Sequence, residues 1–159
     1  MTMACPTKYQ KSSLRAYNST EQAFTTPGNI KFSNIGYISG TSISLKENSD
    51  TVYLRTNGLY YITIDVIMSN ATAATDTTVQ LYVDGNEVAG ASTEATLTTD
   101  TDFQAGTISA VIPVNSICCS CGKGIPVTFK VLGTTPRIEG VNLNVFRLAQ
   151  EVYYGYSYC

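Results

Sequence analysis

Along the stretch GLYYITIDVIMSN, residues 58–70, apolar and polar positions alternate with a period of two. Tyr60, Ile62, Ile64, Val66 and Met68 form a uniformly apolar set, while Leu59, Tyr61, Thr63, Asp65 and Ile67 form a mixed one. Successive side chains of a strand point to opposite faces, so the first set is predicted to face a core and the second to face outward. The same alternation assigns Val79, Leu81 and Val83, then Ile108, Ala110 and Ile112, then Val127, Phe129 and Val131, then Val141, Leu143 and Val145 to the interior. No window of a dozen residues carries an apolar stripe at helical spacing. The chain is therefore predicted to be all-β, with strands over residues 30–38, 42–46, 51–55, 59–69, 77–83, 87–91, 107–114, 125–132 and 141–148. Asn57-Gly58, Asp84-Gly85-Asn86, Gly122-Lys123-Gly124 and Gly133-Thr134-Thr135-Pro136 supply turn chemistry between them. Asp84-Gly85-Asn86, set between two strand patterns, predicts a hairpin. Short strands at this spacing point to a two-sheet antiparallel jelly-roll sandwich.

Composition narrows the classes of function. At 17.1 kDa the 159 residues suffice for one domain with a proper core. Charged residues make up 14%, well under the roughly 25% of ordinary soluble domains. With a net charge of −2 and no run of Lys or Arg, nothing is available to neutralise a phosphate backbone, so nucleic acid is not expected as a partner. No stretch of 18 apolar residues predicts a membrane span, and MTMACPTKYQ has neither the basic nor the apolar region of a secretory signal. The expected location is extracellular or on a spore or cell surface, reached without such a signal.

Gly58-Leu59-Tyr60-Tyr61-Ile62-Thr63-Ile64-Asp65-Val66, then Val79-Gln80-Leu81-Tyr82-Val83-Asp84-Gly85-Asn86-Glu87-Val88, then Val141-Asn142-Leu143-Asn144-Val145-Phe146-Arg147-Leu148, occur in order and at suitable distances. Together they resemble the C1q/TNF-like jelly roll, in particular the domains at the C-terminus of bacterial collagen-like spore-surface glycoproteins. The resemblance covers roughly residues 23–149. It implies a compact trimer in which one sheet of each protomer packs near the threefold axis, serving as a structural or receptor-binding head. By position it makes Tyr60 and Tyr82 candidates for buried or intersubunit aromatic contacts. Two features depart from the pattern: no Gly-X-Y repeat precedes the domain, and a cysteine-bearing loop is inserted between the late strands. The domain is expected over residues 21–149, with an N-terminal arm (1–20) carrying Cys5 and a tyrosine-rich tail (150–159) carrying Cys159.

Five cysteines stand at Cys5, Cys118, Cys119, Cys121 and Cys159. An odd count leaves at least one thiol that cannot pair within the chain. Adjacent Cys118 and Cys119 would form a badly strained bridge with each other, so they are expected to bond elsewhere. The favoured reading is covalent assembly, with the arm or tail of one subunit bonded to the loop cysteines of another. Intrachain bridges, free thiols and a loop metal site remain alternatives. The metal reading lacks paired Cys-x-x-Cys knuckles and any His. An arm with a cysteine ahead of a jelly roll also resembles, in plan, the disulfide-linked subunits of pilus-like spore appendages. Tyr153, Tyr154, Tyr156 and Tyr158 in the tail are further candidates for intersubunit contact, since tyrosine supplies large contact area at low entropy cost.

The absence of histidine removes the Ser-His-Asp and Cys-His routes to acyl transfer. Asp65, Asp76, Asp84, Glu94, Asp100 and Asp102 are scattered; Asp100 and Asp102 do not make a full calcium loop. No cofactor motif is present, and neither GNIKFSNIG nor GKG has the context of a phosphate loop. Asn18-Ser19-Thr20 and Asn70-Ala71-Thr72 match the N-glycosylation acceptor pattern. The expected function is that of a non-enzymatic structural subunit of a surface assembly or fibre, forming trimers or higher rings with itself and reinforced by intersubunit disulfides. The alternative is a trimeric head on a spore or phage that binds a receptor or glycan.

Overall fold

The computed structural model describes residues 11–72, 75–99, 101–115, 117 and 124–150. Its strands are β1 (Ser13–Asn18), β2 (Gln22–Ala23), β3 (Gly28–Asn29), β4 (Asn34–Ser39), β5 (Ile43–Ser44), β6 (Val52–Leu54), β7 (Gly58–Asn70), β8 (Thr75–Val83), β9 (Asn86–Leu97), β10 (Gln104–Val114), β11 (Ile125–Gly133) and β12 (Pro136–Ala149). They make two antiparallel sheets packed face to face. The front sheet has the order β10-β7-β12-β1-β4 with β2 beside β12, and the back sheet β5-β6-β11-β8-β9 with β3 beside β11. Neighbours in space are seldom neighbours in sequence, which is the jelly-roll arrangement expected from the strand spacing.

The alternation in β7 is realised in full: Tyr60, Ile62, Ile64, Val66 and Met68 are buried between the sheets. Val79 and Leu81 of β8 and Val127, Phe129 and Val131 of β11 close over them from the back sheet, Val141, Leu143 and Val145 of β12 extend the same buried face of the front sheet, and Phe32 and Phe129 meet edge to face at 6.2 Å. Val83 and Ala110 lie at the margin, partly covered. The hairpin at Asp84-Gly85 is a two-residue loop with φ of 51° and 76°, which matches the twist of the strands it joins.

Several boundaries differ from expectation. Residues 13–18, assigned by sequence to an arm, form β1, inserted between β12 and β4 with Leu14 and Ala16 fully buried. The domain therefore begins inside the segment expected to precede it. SLRAYN has only one large apolar residue, so its strand character comes from ladders on both sides rather than from its own pattern. Residues 30–38 do not form one strand: Ile30 and Phe32 turn into the core, and β4 starts at Asn34. Residues 87–91 lengthen into β9 through a bulge at Gly90, where the register with β8 shifts. There the Gln80 side chain is buried, its Nε2 within 3.0, 2.9 and 3.1 Å of the carbonyls of Leu81, Val88 and Ala91. A polar residue at an outward position thus serves the carbonyls that the bulge leaves without ladder partners.

Candidate assembly site

At the end of the sandwich where β7 begins, an inward position of β12 carries a cation. Val141, Leu143 and Val145 point into the core, and Arg147 follows them in the same register. A bulge between Arg147 and Ala149 lets the chain turn there. The guanidinium is buried among oxygen acceptors: Nη2 donates to the carbonyl of Asn57 at 2.6 Å and of Gln150 at 3.5 Å, and Nη1 donates to Ser42 Oγ at 3.3 Å. The Arg147 backbone N–H donates to Ser12 O at 3.0 Å, and the Ser42 N–H donates to Ser12 Oγ at 3.2 Å. Asn57 then reaches Ile117 in both directions, receiving from its N–H at 2.9 Å and donating to its carbonyl at 3.1 Å. An amide side chain in this way stands in for a strand residue and pairs with Ile117.

Tyr60 belongs to the same cluster. It is wholly buried within its own protomer, and its hydroxyl donates to Thr56 O at 2.7 Å and meets Thr56 Oγ1 at 3.0 Å. Burial raises its pKa above the ordinary tyrosine value, with the Thr56 hydrogen bonds and the Arg147 charge opposing that rise. Its side chain therefore has no surface to offer a neighbour, and the intersubunit role considered for it gives way to a structural one. Tyr82 lies half-buried on the outer face of the back sheet, with Lys130 Nζ 5.5 Å from its ring centroid. That pair edges a shallow depression lined by Pro27, Gly28, Asn29, Gly85 and Thr128. Cys5, Cys118, Cys119, Cys121, Cys159, Tyr153, Tyr154, Tyr156 and Tyr158 lie outside the described residues.

The outer face of the front sheet carries a row that sequence reading did not assemble. Val111 of β10, Tyr61 of β7 and Phe146 of β12 stand side by side through the ladder register, followed by Ser13 of β1. Leu148 continues the apolar surface; it is 51% exposed and Val111 is 52% exposed. Beside this row runs a polar belt of Arg15, Asn144, Thr63 and Ser109, in which Arg15 Nε donates to Asn142 Oδ1 at 3.0 Å. The signal was present in the mixed outward set of β7, but its neighbours depend on strand order.

Other candidates resolve into structure. Asn70 is fully buried with Nδ2 donating to Thr75 O at 2.7 Å, and Asn18 is buried with Nδ2 donating to Lys31 O at 3.2 Å. Neither amide of the two acceptor patterns is presented to solvent. Asp102 closes its own loop, accepting from the Thr98 hydroxyl at 2.6 Å and from the N–H groups of Thr98 at 3.1 Å and Thr99 at 3.0 Å; the Thr98 side chain first, then Thr99, hold its carboxyl below the usual range. Among the described residues no group of three or more His, Cys, Asp or Glu could hold a metal ion, and no helix is long and apolar enough to cross a membrane.

No family model and no curated protein matches the sequence. Solved structures do match. Murine APRIL at pH 8.5 aligns over 87% of this chain and 100% of its own, with 13% identity and a TM-score of 0.61. Eiger TNF from S. frugiperda aligns over 94% and 98%, with 8% identity and a TM-score of 0.63. PRD1 vertex protein P5 aligns over 88% and 99%, with 14% identity and a TM-score of 0.57. At these identities the likeness is one of fold, and with the strand order above it makes the domain a C1q/TNF-like jelly roll.

Proposed function

We propose that this protein is a non-enzymatic structural subunit that associates with copies of itself through the outer face of the front sheet, in a trimer, and that disulfides reinforce the resulting assembly on an extracellular, spore or virion surface. The observation that carries the reading is the row Val111, Tyr61 and Phe146 with Leu148, an apolar surface on a sheet face that a lone protomer leaves to solvent. The polar belt beside it, with a cation at Arg15 and an anion at Asp65 on the same face, offers register to a self-complementary contact. The receptor-binding alternative calls for aromatics gathered on one loop end. Tyr37 lies on the front sheet, Tyr53 on the back sheet and Phe103 alone on the β9–β10 loop, which favours the structural reading. The test is sedimentation of the full chain in reductant, beside the Val111→Asp variant. The reading expects about three times the 17.1 kDa protomer mass for the parent and dissociation for the variant. A parent that sediments as a 17.1 kDa monomer overturns it.

A further inference from the structure

The outer faces of the two sheets differ in charge. On the back sheet, β8, β9 and β11 turn Asp76, Glu87, Glu94 and Lys130 outward, as a solvated surface does. On the front sheet, across β10, β7, β12, β1 and β4 and from the level of Leu59 to that of Ile67, the outward charges are Arg15 and Asp65 alone among the described residues. The core of a protein–protein interface is depleted in charge in the same way. The face also has the size of one. Five strands make it about 24 Å wide and the span from Leu59 to Ile67 is about 30 Å long, a footprint of about 700 Å² against the roughly 800 Å² that each partner gives to a standard interface. Arg15 leans toward the centre of this face: its Nε donates to Asn142 Oδ1 at 3.0 Å, and its guanidinium carbon lies 5.6 Å from the Tyr17 ring centroid. Asp65 accepts from the Thr107 hydroxyl at 2.7 Å through Oδ1. The Arg15 Nη groups and Asp65 Oδ2 keep unused bonding capacity among the described residues, and no ion pair joins the two side chains within the protomer.

We infer that Asp65 of one copy pairs with Arg15 of the next, and that this one ion pair per contact sets the register of the assembly. The inference rests on the self-association proposed above and names the residues that direct it. Asp65 stands on the β10 side of the central strand β12 and Arg15 on the β4 side. Opposite charges on opposite sides of one face are complementary head to tail: the β10–β7 half of one copy meets the β1–β4 half of its neighbour, and a threefold turn closes the ring. The apolar row of Val111, Tyr61 and Phe146 supplies contact area that many settings could use. The charges select among those settings, because a shifted contact covers them unpaired. Asn142 and Thr107 are positioning residues, holding the guanidinium and the carboxylate in place before the copies meet.

The experiment follows the full chain in reductant by sedimentation equilibrium and reads the protein concentration at half-assembly. It compares the parent, Arg15→Glu, Asp65→Arg, the double variant carrying both, and an equimolar mixture of the two single variants. Each single reversal is expected to raise that concentration about tenfold or more, and the double variant to return within about threefold of the parent. The mixture is expected to assemble more tightly than either single variant, because two of the three contacts in a mixed ring then join opposite charges. That recovery separates a bond between copies from one within a copy. Circular dichroism of every variant is expected to match the parent. Should a reversal disturb the fold, Arg15→Met and Asp65→Asn give a milder cycle, in which the double variant is expected to be no weaker than the single ones. A double reversal no better than the single ones, a mixture no tighter than its components, or strictly additive mild variants overturns the inference while leaving the association standing. A parent that is monomeric in reductant overturns the association itself, and the pair with it.

Discussion

The two ends of the sandwich are closed by different means. At the end holding the β7–β8 and β9–β10 connections, local bonds share the closure with backbone contact to the β11–β12 turn: Thr75 Oγ1 donates to Thr72 O at 3.0 Å, Asn70 to Thr75 O at 2.7 Å, Asp102 gathers Thr98 and Thr99, and the Ala71 N–H donates to Thr135 O at 3.1 Å. At the Arg147 end the partners lie 60, 90 and 105 residues apart in sequence. Local closure costs little chain entropy and tolerates change in one turn. Closure through one buried cation adds a shared side-chain link to segments that the ladders of β1, β7 and β12 already bring near, so a single substitution there touches all of them.

The sharpest break of this contrast is Gly58→Ala. Gly58 has φ of 152°, and a Cβ there would lie 2.4 Å from Ala149 O and 2.9 Å from Arg147 Nε. The added methyl collides with the β12 bulge and is expected to cost about 3 kcal/mol, lowering the thermal midpoint by about 6–12 °C. A midpoint unchanged by the substitution would show that the clasp yields easily. Next comes Arg147→Met, which strands the carbonyls of Asn57 and Gln150 and is expected to cost about 2 kcal/mol in urea unfolding.

Tyr60→Phe removes one hydroxyl from the same cluster, at about 1 kcal/mol near neutral pH. It also tests a pH dependence. Because the folded-state pKa of Tyr60 lies above its unfolded value of 10.0, the folded chain holds this proton more tightly. The associated stability is complete below pH 10.0 and is lost as pH rises toward the folded pKa. Alkaline unfolding curves should therefore fall less steeply for the Phe variant, and parallel curves would contradict the assignment. The smallest effect belongs to the opposite end. Asp102→Ala should leave the thermal midpoint unchanged and speed amide exchange at Thr98 and Thr99. In the parent the protection of these two amides, taken relative to the intrinsic exchange rate at each pH, is expected to fall in the same way as pH drops through the lowered pKa of Asp102 and its carboxylate takes up a proton.

Legibility followed the same division. The hairpin at Asp84-Gly85 and the buried faces of β7, β8, β11 and β12 were readable because each depends on residues close in sequence. Strand β1 was hidden because Ala16 is small and Tyr17 faces outward, leaving Leu14 as its one large buried residue. The clasp left a faint trace, a cation in the core-facing register after Val145, which local pattern alone does not separate from a surface arginine. The apolar row on the front sheet was invisible for another reason: Val111, Tyr61 and Phe146 come from three strands, and only their order in the sheet makes them one surface.

By itself the sequence determined an all-β chain, its principal core, its hairpin and the absence of histidine chemistry, since period, turn residues and composition are local properties of the chain. Tertiary structure decided that residues 13–18 complete the front sheet, that Tyr60 is held inside the protomer, and that Ser12, Ile117, Gly124 and Gln150 lie at one end. Those outcomes are set by strand pairing and by a buried guanidinium whose acceptors are brought together only when the jelly roll closes.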